Sequence, residues 1–479
     1  MCKAFLFLFV TIVDAARPHI AINLPDAPDN DVVLYSGYLD LEDDSHAHYM
    51  FTAAESDPNS KPLLVWLGSS MGHSVMHHFF HLFGPYIIRS SNSSLERNND
   101  AWSKVGNVLF IDNSIQAGFS YGQENNQTFD VYTRCDFTYK LLLKFFEEFP
   151  EFKANDLYIG GSSGTGQYAP LIALKIAENK AENQINLKVK ITTFISFDEN
   201  IFGQDTVIMG LIIGNAILSM DEISIDLAMY MYSYGLVDER TYETAQRNCC
   251  NGVLDKCEIH NAISVSEFCA EFFFDILYFA ERSGLNMFNL NEKCEKDAQV
   301  IDALQKNFAK EGLTGLTDFI SLYAEKADVK CVDEIPYSTY LNRTDVRRAL
   351  NIPEDVRSWE MYRSVPYRFA IPEDNYKVVK KVIDSNIRLF LFGGDLSLTS
   401  PMLHSQRFAN KLGYEQTTTI LPFFIEEGQI AGHFVKYGPI QVASILDSGM
   451  YGSGKKLETI CILSAFVSDG KRNFSTYQS

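Results

Sequence analysis

The sequence predicts an α/β fold in which helices cover a mostly parallel sheet and a helical cap interrupts the chain between two blocks of strands. Three observations support this prediction. Short apolar runs bounded by Gly, Pro and polar residues alternate with helical patterns. One such run ends in a turn of small residues around a serine, at 160–166. Residues 221–332 are rich in helix formers and hold a cluster of cysteines.

Most of the predicted strands are short and apolar, which is typical of strands buried on both faces of a sheet. Tyr139–Phe146 and Leu171–Ala177 instead have the apolar spacing of helices. The predicted strands, in chain order, are Val33–Leu41, Leu63–Leu67, Val108–Ile111, Leu157–Ile159, Leu211–Ile213 and Arg388–Phe392.

The chain divides into four predicted parts. Residues 1–16 form a signal peptide, and residues 17–220 and 333–450 form the α/β core. Residues 221–332 form the helical cap, and 451–479 form a polar, loosely ordered tail. Caps of this kind shape the mouth of a site at the carboxyl ends of the strands.

Length and charge restrict the function. The chain has 479 residues, enough for one large domain with an insertion or for several domains. Its formal net charge of −20 opposes a phosphate backbone, so we expect no nucleic-acid partner. After the amino terminus no apolar run reaches the roughly eighteen residues of a membrane span, so none is predicted.

The amino terminus and the cysteines indicate entry into the secretory pathway. Lys3 precedes the apolar run Ala4–Val13, and small residues follow at a cleavage position, although a buried first strand is the alternative. Nine cysteines are consistent with an oxidising compartment, so we expect a lysosomal or extracellular location. Four asparagines in N-x-S/T sequons are candidate glycosylation sites: Asn92, Asn126, Asn342 and Asn473.

The most informative pattern is the stretch at 156–170, DLYIGGSSGTGQYAP. An apolar run enters a turn around Ser163 and a helix follows, which is the arrangement of a nucleophile elbow in an α/β hydrolase. The turn of an elbow is crowded, and Gly161, Gly164 and Gly166 supply the small residues that it needs. A glycine-rich turn without chemistry is the alternative. The elbow predicts Ser163 as a nucleophile.

The chain resembles the serine carboxypeptidase family over about residues 24–446. The elbow is similar to the family pattern D-x-Y-I-x-G-E-S-Y-A-G-x-Y-x-P. This resemblance implies an α/β-hydrolase fold and the release of C-terminal residues from peptides. Further matches, the last four of which resemble the lysosomal members most, lie at 36–38, 102–121, 340–347, 214–215, 234–236, 249–250 and 284–286.

The resemblance implies two disulfides within the cap. Cys250 would pair with Cys257, and Cys249 would pair with Cys269. Spacing alone does not fix this connectivity.

Two departures from the family concern the core. The family has a cysteine at the position of His73, and its partner matches Cys331, so this bond is lost and Cys331 could pair with Cys294 instead. Residues 189–209 are an addition relative to the family. They are either a genuine loop or an unspliced segment of the gene.

The resemblance also implies a catalytic serine and histidine without the usual acid. His433 lies in a match to the family's G-H-M-V and is expected to take the proton of Ser163. Ser397 stands where the family has the aspartate that orients this histidine. A serine cannot neutralise an imidazolium, and loss of that charge in a studied triad lowers turnover about ten-thousandfold. Asp395 is a candidate substitute.

The oxyanion hole and the substrate site depart from the family as well. Gly164 would donate one backbone N–H to the oxyanion and Ser70 the other, in place of a glycine. The family holds the substrate's terminal carboxylate with an asparagine and two acidic residues, whose positions match Gly68, Ser162 and Leu82. Ser162 keeps one hydroxyl, but we predict that a free C-terminal carboxylate is no longer recognised.

A cluster of histidines is a separate candidate site. Four lie within nine residues: His73, His77, His78 and His81. If this segment is an α-helix, the first, second and fourth share a face and could bind zinc or copper. Because no carboxylate or cysteine ligand is evident nearby, solvated imidazoles on an amphipathic helix are the favoured interpretation. No metal or other cofactor is predicted.

Two functional hypotheses follow. The first is a divergent serine hydrolase with Ser163 as nucleophile and His433 as base, which acts with reduced or altered activity on a peptide or on a small ester or amide. The second is a non-catalytic binding or protective protein that keeps the fold. Both leave room for a homodimer or another protein partner.

Overall fold

The computed structural model contains a central sheet flanked by helices. No helix of its described part is long and apolar enough to cross a membrane. The described residues are 21–28, 32–70, 72–89, 93–122, 130–179, 208–254, 257, 266, 268–270, 272, 285–292, 333–363, 374–426, 428–452 and 454–468.

The strands include every one that the sequence predicts. In chain order they are β1 Leu34–Asp40, β2 Ser45–Thr52, β3 Leu63–Leu67, β4 Tyr86–Ile88, β5 Leu95–Arg97, β6 Asn107–Ile111, β7 Tyr121–Gly122, β8 Leu157–Ser163, β9 Ile208–Ala216, β10 Arg388–Gly394, β11 Leu421–Glu426, β12 Gln429–Tyr437 and β13 Ile440–Ile445.

The helices of the described residues lie between these strands or follow the last of them. A π-helical turn, Phe79–Phe83, follows the first helix, and 3-10 turns occupy 102–104, 150–154 and 450–452. The α-helices are α1 Met76–His78, α2 Val131–Glu148, α3 Thr165–Glu178, α4 Met220–Ser233, α5 Glu239–Cys249, α6 Ile335–Leu341, α7 Thr344–Ala349, α8 Asn375–Asp384, α9 Met402–Lys411 and α10 Lys456–Val467.

The main sheet is mostly parallel. Its order is β1-β2-β6-β3-β8-β9-β10-β13-β12-β11, and β7 pairs with β2. The six strands from β6 to β13 in that order are parallel to one another, and antiparallel strands flank them on both sides. The predicted α/β-hydrolase architecture is therefore confirmed. The carboxyl ends of the parallel strands share one edge, where sites form in such sheets.

The strand β3 illustrates why the sheet is buried on both faces. All five of its residues are buried. Side chains alternate between the faces of a strand, so Leu63, Val65 and Leu67 join the apolar core on one face. Leu64 and Trp66 join the core on the other face. A continuous apolar run is what a strand between two helical layers needs.

The helix α3 begins directly after the elbow and contains Pro170. Proline has no backbone N–H, so the carbonyl of Gly166 loses its helical partner. Asn375, at the start of α8, supplies the replacement, because its Nδ2 donates to Gly166 O at 3.1 Å and to Leu218 O at 2.7 Å. One side chain thus ties the elbow helix to the loop after β9.

The described part of the predicted cap contains α4 and α5 with a small apolar core of their own. Two disulfides close this region, Cys249–Cys269 and Cys250–Cys257. Both pairings that the resemblance implies are therefore confirmed. The division of the chain into core and cap stays a prediction.

The prediction of a loosely ordered tail is wrong for Lys456–Val467, which form the helix α10. Its residues Ile460, Leu463 and Phe466 are buried. The ring of Phe466 stacks on Phe390 of the sheet, with ring centroids 4.9 Å apart. Burial against the sheet stabilises this helix, and the polar composition around it did not reveal that contact.

Several predictions lie outside the described residues. Among the sequons only Asn342 is described. Its Nδ2 donates to Trp359 O at 3.0 Å and its Oδ1 accepts from Trp359 N at 2.6 Å, so its glycosylation stays a prediction. The predictions that fall outside concern residues 1–16, Asn92, Asn126, residues 189–207, Cys294, Cys331 and Asn473.

His48, a buried histidine of β2, should make the unfolding free energy depend on pH. Burial lowers the pKa of His48 to about 3, from 6.5. A lowered folded-state pKa contributes stability that is complete above about pH 6.5 and is lost as the pH falls toward 3. Between pH 7 and pH 4.5 this histidine should therefore cost about 2–3 kcal/mol of unfolding free energy.

The change His48→Gln should remove this contribution. Glutamine is neutral at every pH and can still pair with Ser36 Oγ, which lies 3.0 Å from His48 Nε2. Urea unfolding at pH 7 and at pH 4.5 should show a smaller acid-induced loss in the variant. An equal loss in both proteins would contradict the assignment.

Candidate active site

The elbow has the geometry that its sequence predicts. Ser163 ends β8 with φ of 50°, a left-handed conformation that is costly for a residue with a Cβ. Its neighbours are small for steric reasons. A Cβ on Gly161 would lie 2.5 Å from Thr165 Oγ1, and one on Gly166 would lie 2.6 Å from Ile217 O. The strand–turn–helix arrangement therefore presents Ser163, half-buried, at the carboxyl edge of the sheet.

The predicted base is not close to this serine. His433 lies in β12, opposite Ser444 of β13. In the sheet order, β12 is the fourth strand from β8, with β9, β10 and β13 in between. Four strand spacings are about 19 Å, far beyond the roughly 3 Å of a proton-transferring hydrogen bond. The expectation that His433 is the base for Ser163 is wrong because an antiparallel strand carries it away from the elbow.

The loop after β13 is closer to the elbow, and it contains no histidine. It packs on β9 and β10 through the turn Met450–Gly452. Met450 is 4% exposed, and its Sδ accepts a hydrogen bond from Thr399 Oγ1 at 3.4 Å. A thioether is a weak acceptor and carries no titratable proton. Met450 therefore occupies a central position at the carboxyl edge without the chemistry of a base.

Ser397, at the position of the acid, belongs to the same small network. It is completely buried, and its Oγ lies 3.1 Å from Thr399 Oγ1. Asp395 does not replace it. The Asp395 carboxylate accepts from Ser448 N at 3.3 Å, in the loop after β13, and burial raises its pKa. Within the described residues, neither Ser397 nor Asp395 forms a hydrogen bond or ion pair with a histidine.

Hydrogen bonds to its backbone carbonyls hold the loop of the predicted oxyanion hole in place. The carbonyl of Gly68 accepts from Tyr168 OH at 2.6 Å and from Arg134 Nη2 at 3.0 Å. Arg134 Nη2 also lies 3.4 Å from Ser70 O. The loop touches the elbow, since a Cβ on Gly164 would lie 2.8 Å from Ser69 O. Ser70 and Gly164 thus stand on facing backbone segments, as an oxyanion hole requires.

Arg134 is a residue that the sequence analysis missed. It lies on α2 among buried apolar residues, only 4% exposed, with its guanidinium carbon 4.2 Å from the centroid of the Tyr168 ring. A cation at an apolar position of an amphipathic helix was the available signal. Its donors hold the carbonyls of the loop and therefore set the loop's path.

The three residues at the family's substrate-binding positions are either apolar or buried. Leu82 is 2% exposed and belongs to the apolar core. Ser162 is completely buried, and its Oγ has no hydrogen-bond partner among the described residues. A Cβ on Gly68 would lie 3.0 Å from His73 O, so the loop has little room for a side chain there. None of the three offers a carboxylate-binding group at the surface.

The histidine cluster differs from the predicted arrangement. Only Met76–His78 are α-helical, and the wider π-helical turn that follows moves His81 out of the series. His81 Nδ1 lies 2.6 Å from Tyr337 OH. The group whose ring nitrogens converge is His73, His77 and His78, and all three are buried. The interpretation as solvated imidazoles is therefore wrong, and burial lowers the pKa of all three well below 6.5.

A model of the serine carboxypeptidase family matches residues 25–468. The chain belongs to the serine carboxypeptidase family.

This family member is 25% identical over 458 residues to the mouse (Mus musculus) lysosomal protective protein, covering 90% of each chain. It is 27% identical over 390 residues to the serine carboxypeptidase ctsa-4.1 of Caenorhabditis elegans, covering 79% of this chain and 76% of that one. Among solved structures it resembles Kex1, a prohormone-processing carboxypeptidase of Saccharomyces cerevisiae, with a TM-score of 0.70 at 19% identity over 94% of both chains. Such low identity to a structure supports the fold alone.

Family membership agrees with the resemblance that the elbow sequence shows. The family acts on peptides, so its scaffold is suited to a peptide ligand. The serine carboxypeptidase fold is retained here with Ser163 at the elbow, whereas Ser397 and Met450 occupy the edge beside it. Fold and chemistry have therefore to be considered separately.

Proposed function

We propose that this serine carboxypeptidase family member is a non-hydrolytic binding protein of the secretory pathway, in a lysosome or outside the cell. The observation that carries the proposal is the strand order, in which three strands separate the strand of Ser163 from that of His433, a span of about 19 Å at the usual strand spacing. A serine hydroxyl is a weak nucleophile unless an adjacent base takes its proton. The two disulfides and the lysosomal relative support the location.

The ligand that we propose is a peptide or a small ester or amide that is held without recognition of a free terminal carboxylate. Gly68, Ser162 and Leu82 offer no cation or paired carboxylic acids for such a group. The hydroxyls of Ser162 and Ser70 are buried without hydrogen-bond partners among the described residues. Hydroxyls that are buried in this way present no polar group that could bind a solvated carboxylate, which agrees with a ligand that is held without one.

A labelling experiment tests the proposal. The purified protein is incubated with a fluorophosphonate probe from pH 4.5 to pH 7.5, because such probes report an activated serine. We expect labelling no faster than that of the Ser163→Ala variant. Binding of one peptide as its free acid and as its C-terminal amide, measured by calorimetry, should give equal affinities within about a factor of three.

Two outcomes would overturn the proposal. One is rapid labelling that disappears in Ser163→Ala. The other is release of C-terminal residues from peptides that also depends on Ser163. His433→Gln is the matched control, since it should leave both measurements unchanged if His433 does not serve Ser163.

A divergent hydrolase is the second candidate function, and one observation favours it. Ser163 keeps a costly left-handed conformation, with φ of 50°, and Gly164 follows it. Strained backbone of this kind clusters at functional sites. If the hydrolase survives, its base must be a residue other than His433, and labelling of Ser163 would then persist in His433→Gln.

A further inference from the structure

Three histidines meet in the interior beside the loop after β3. His73 ends this loop, and His77 and His78 lie in α1, one turn further along the chain. They are 2%, 6% and 0% exposed. One ring nitrogen of each lies within 4.8 Å of the corresponding nitrogens of the other two. We propose that His73, His77 and His78 bind a zinc ion.

The hydrogen bonding of His77 supports the proposal. Both of its ring nitrogens are buried, and neither has a hydrogen-bond partner among the described residues. A neutral imidazole carries one donor and one lone pair, and leaving both unpaired in the interior is costly. A bound cation would use the lone pair. The ring is otherwise held by stacking on His81, with centroids 5.0 Å apart.

His73 has the second contact that metal-binding histidines usually have. Its Nδ1 lies 3.1 Å from Ser69 Oγ. If Nδ1 donates to this hydroxyl, Nε2 is left with the lone pair that binds a metal. The backbone around His73 is also fixed, because Ser74 N donates to Met361 O at 2.9 Å and Arg363 N donates to Gly72 O at 3.1 Å. The ligand therefore stands on a rigid segment.

His78 would have to exchange one contact for the metal. Trp66 Nε1 donates to His78 Nδ1 at 3.0 Å, and an indole N–H can only donate. This contact places the lone pair of neutral His78 on Nδ1, so His78 would bind zinc through Nδ1 and release the indole. Metal uptake should therefore change the environment of Trp66, which gives the proposal its own spectroscopic signal.

Three imidazoles suit zinc in number and type. Zinc accepts three histidine nitrogens at about 2.0–2.1 Å, with a fourth position open to water. Tetrahedral ligands at that bond length are about 3.3 Å apart, so the three rings need only small rotations from the present spacing. Histidine nitrogens without carboxylates disfavour magnesium and calcium, which prefer oxygen ligands.

Metal titration of the purified full chain tests the site. After chelator treatment and dialysis, zinc binding is measured by calorimetry and stoichiometry by elemental analysis. We expect one equivalent to bind with a dissociation constant in the micromolar range or below. Cobalt, used as a visible probe at the same site, should give the intense absorption of a tetrahedral nitrogen site. Tryptophan emission should change with the same midpoint.

Variants separate the site from adventitious binding. His77→Gln should weaken zinc binding at least a hundredfold, and the side chain that it removes forms no hydrogen bond to the described residues. His73→Gln is a second variant in case the first does not fold. Trp66→Phe should keep zinc uptake and lose the emission change. His433→Gln, on the distant strand β12, should bind zinc as the unchanged protein does.

The proposal is overturned if the folded protein takes up less than a tenth of an equivalent of zinc. It is equally overturned if both His77→Gln and His73→Gln bind zinc with unchanged affinity. Neither result depends on whether Ser163 reacts, so this test is independent of the proposed function.

Discussion

The double variant Ser397→Asp, Met450→His should give Ser163 a base and an orienting carboxylate. Ser397 and Met450 both contact Thr399, so the two new side chains would stand within reach of each other at the carboxyl edge of the sheet. The base and acid of a serine triad together contribute about 10⁴–10⁶ in turnover. We expect fluorophosphonate labelling of Ser163 to rise at least about a hundredfold, a modest share of that range.

Neither single variant should show this gain. Ser397→Asp alone places a carboxylate at a completely buried position without a cationic partner, which costs stability. Met450→His alone lacks the group that holds the imidazole in its productive tautomer. The gain should therefore appear as coupling in a double-mutant cycle, in both the labelling rate and the unfolding free energy.

The control is the same double variant with Ser163→Ala, which should not be labelled. Circular dichroism must show that each variant is folded. If the folded double variant is labelled no faster than the unchanged protein, then Met450 does not occupy the position of the base. The proposed explanation for a non-hydrolytic Ser163 would then fail at that point.

The second large effect is expected at Asp226, where α4 of the predicted cap meets α9 of the core. Its side chain is completely buried, its Oδ2 lies 2.6 Å from His404 Nδ1, and it forms an ion pair with Arg407. His404 Nε2 accepts from Leu218 N at 3.0 Å, so Nδ1 must carry the proton that it donates to Asp226.

Asp226→Ala should lower the unfolding free energy by about 3–5 kcal/mol, because removing one member of a buried charged pair leaves its partners without compensation. Denaturant unfolding measures this loss. The hydrogen bond joins α4 to α9, so we also expect faster proteolysis of residues 221–332 in the variant.

Asp345→Ala is the matched control. Asp345 also pairs with an arginine, Arg343, with Nη2 to Oδ2 at 2.7 Å, but its side chain is 51% exposed. Water and salt screen exposed pairs, so this control should be far less destabilised. Equal losses in the two variants would show that burial does not determine the effect at Asp226.

Local patterns were enough to predict β1, most of the parallel strands and the elbow, whereas β2, β7, β11, β12 and β13 were not predicted. A continuous apolar run such as Leu63–Leu67 has only one stable place, between two apolar layers. Gly161 is required by a contact within the elbow itself, since a Cβ there would lie 2.5 Å from Thr165 Oγ1, whereas Gly164 and Gly166 face Ser69 and Ile217 from distant parts of the chain. A strand or turn that depends mainly on residues close together in the sequence can be predicted from the sequence.

The histidines show where such patterns fail. His433 matches a short family motif, but that motif does not reveal that its strand pairs beyond β13. The α-helical period predicted a face of His73, His77 and His81, and a π-helical turn instead brought His73, His77 and His78 together. Strand pairing decided the position of His433, and a change of helix type decided which histidines meet.

The sequence by itself determined that this protein has the α/β-hydrolase fold, belongs with the serine carboxypeptidases and carries a serine at its elbow. Only the tertiary structure decided which residues surround that serine, that Lys456–Val467 form a packed helix, and that three histidines are buried together. The physical reason is distance along the chain. Strand and turn preferences act over a few residues, whereas Ser163 and Met450 come to the same edge of the sheet only when parallel strands far apart in sequence pair with one another.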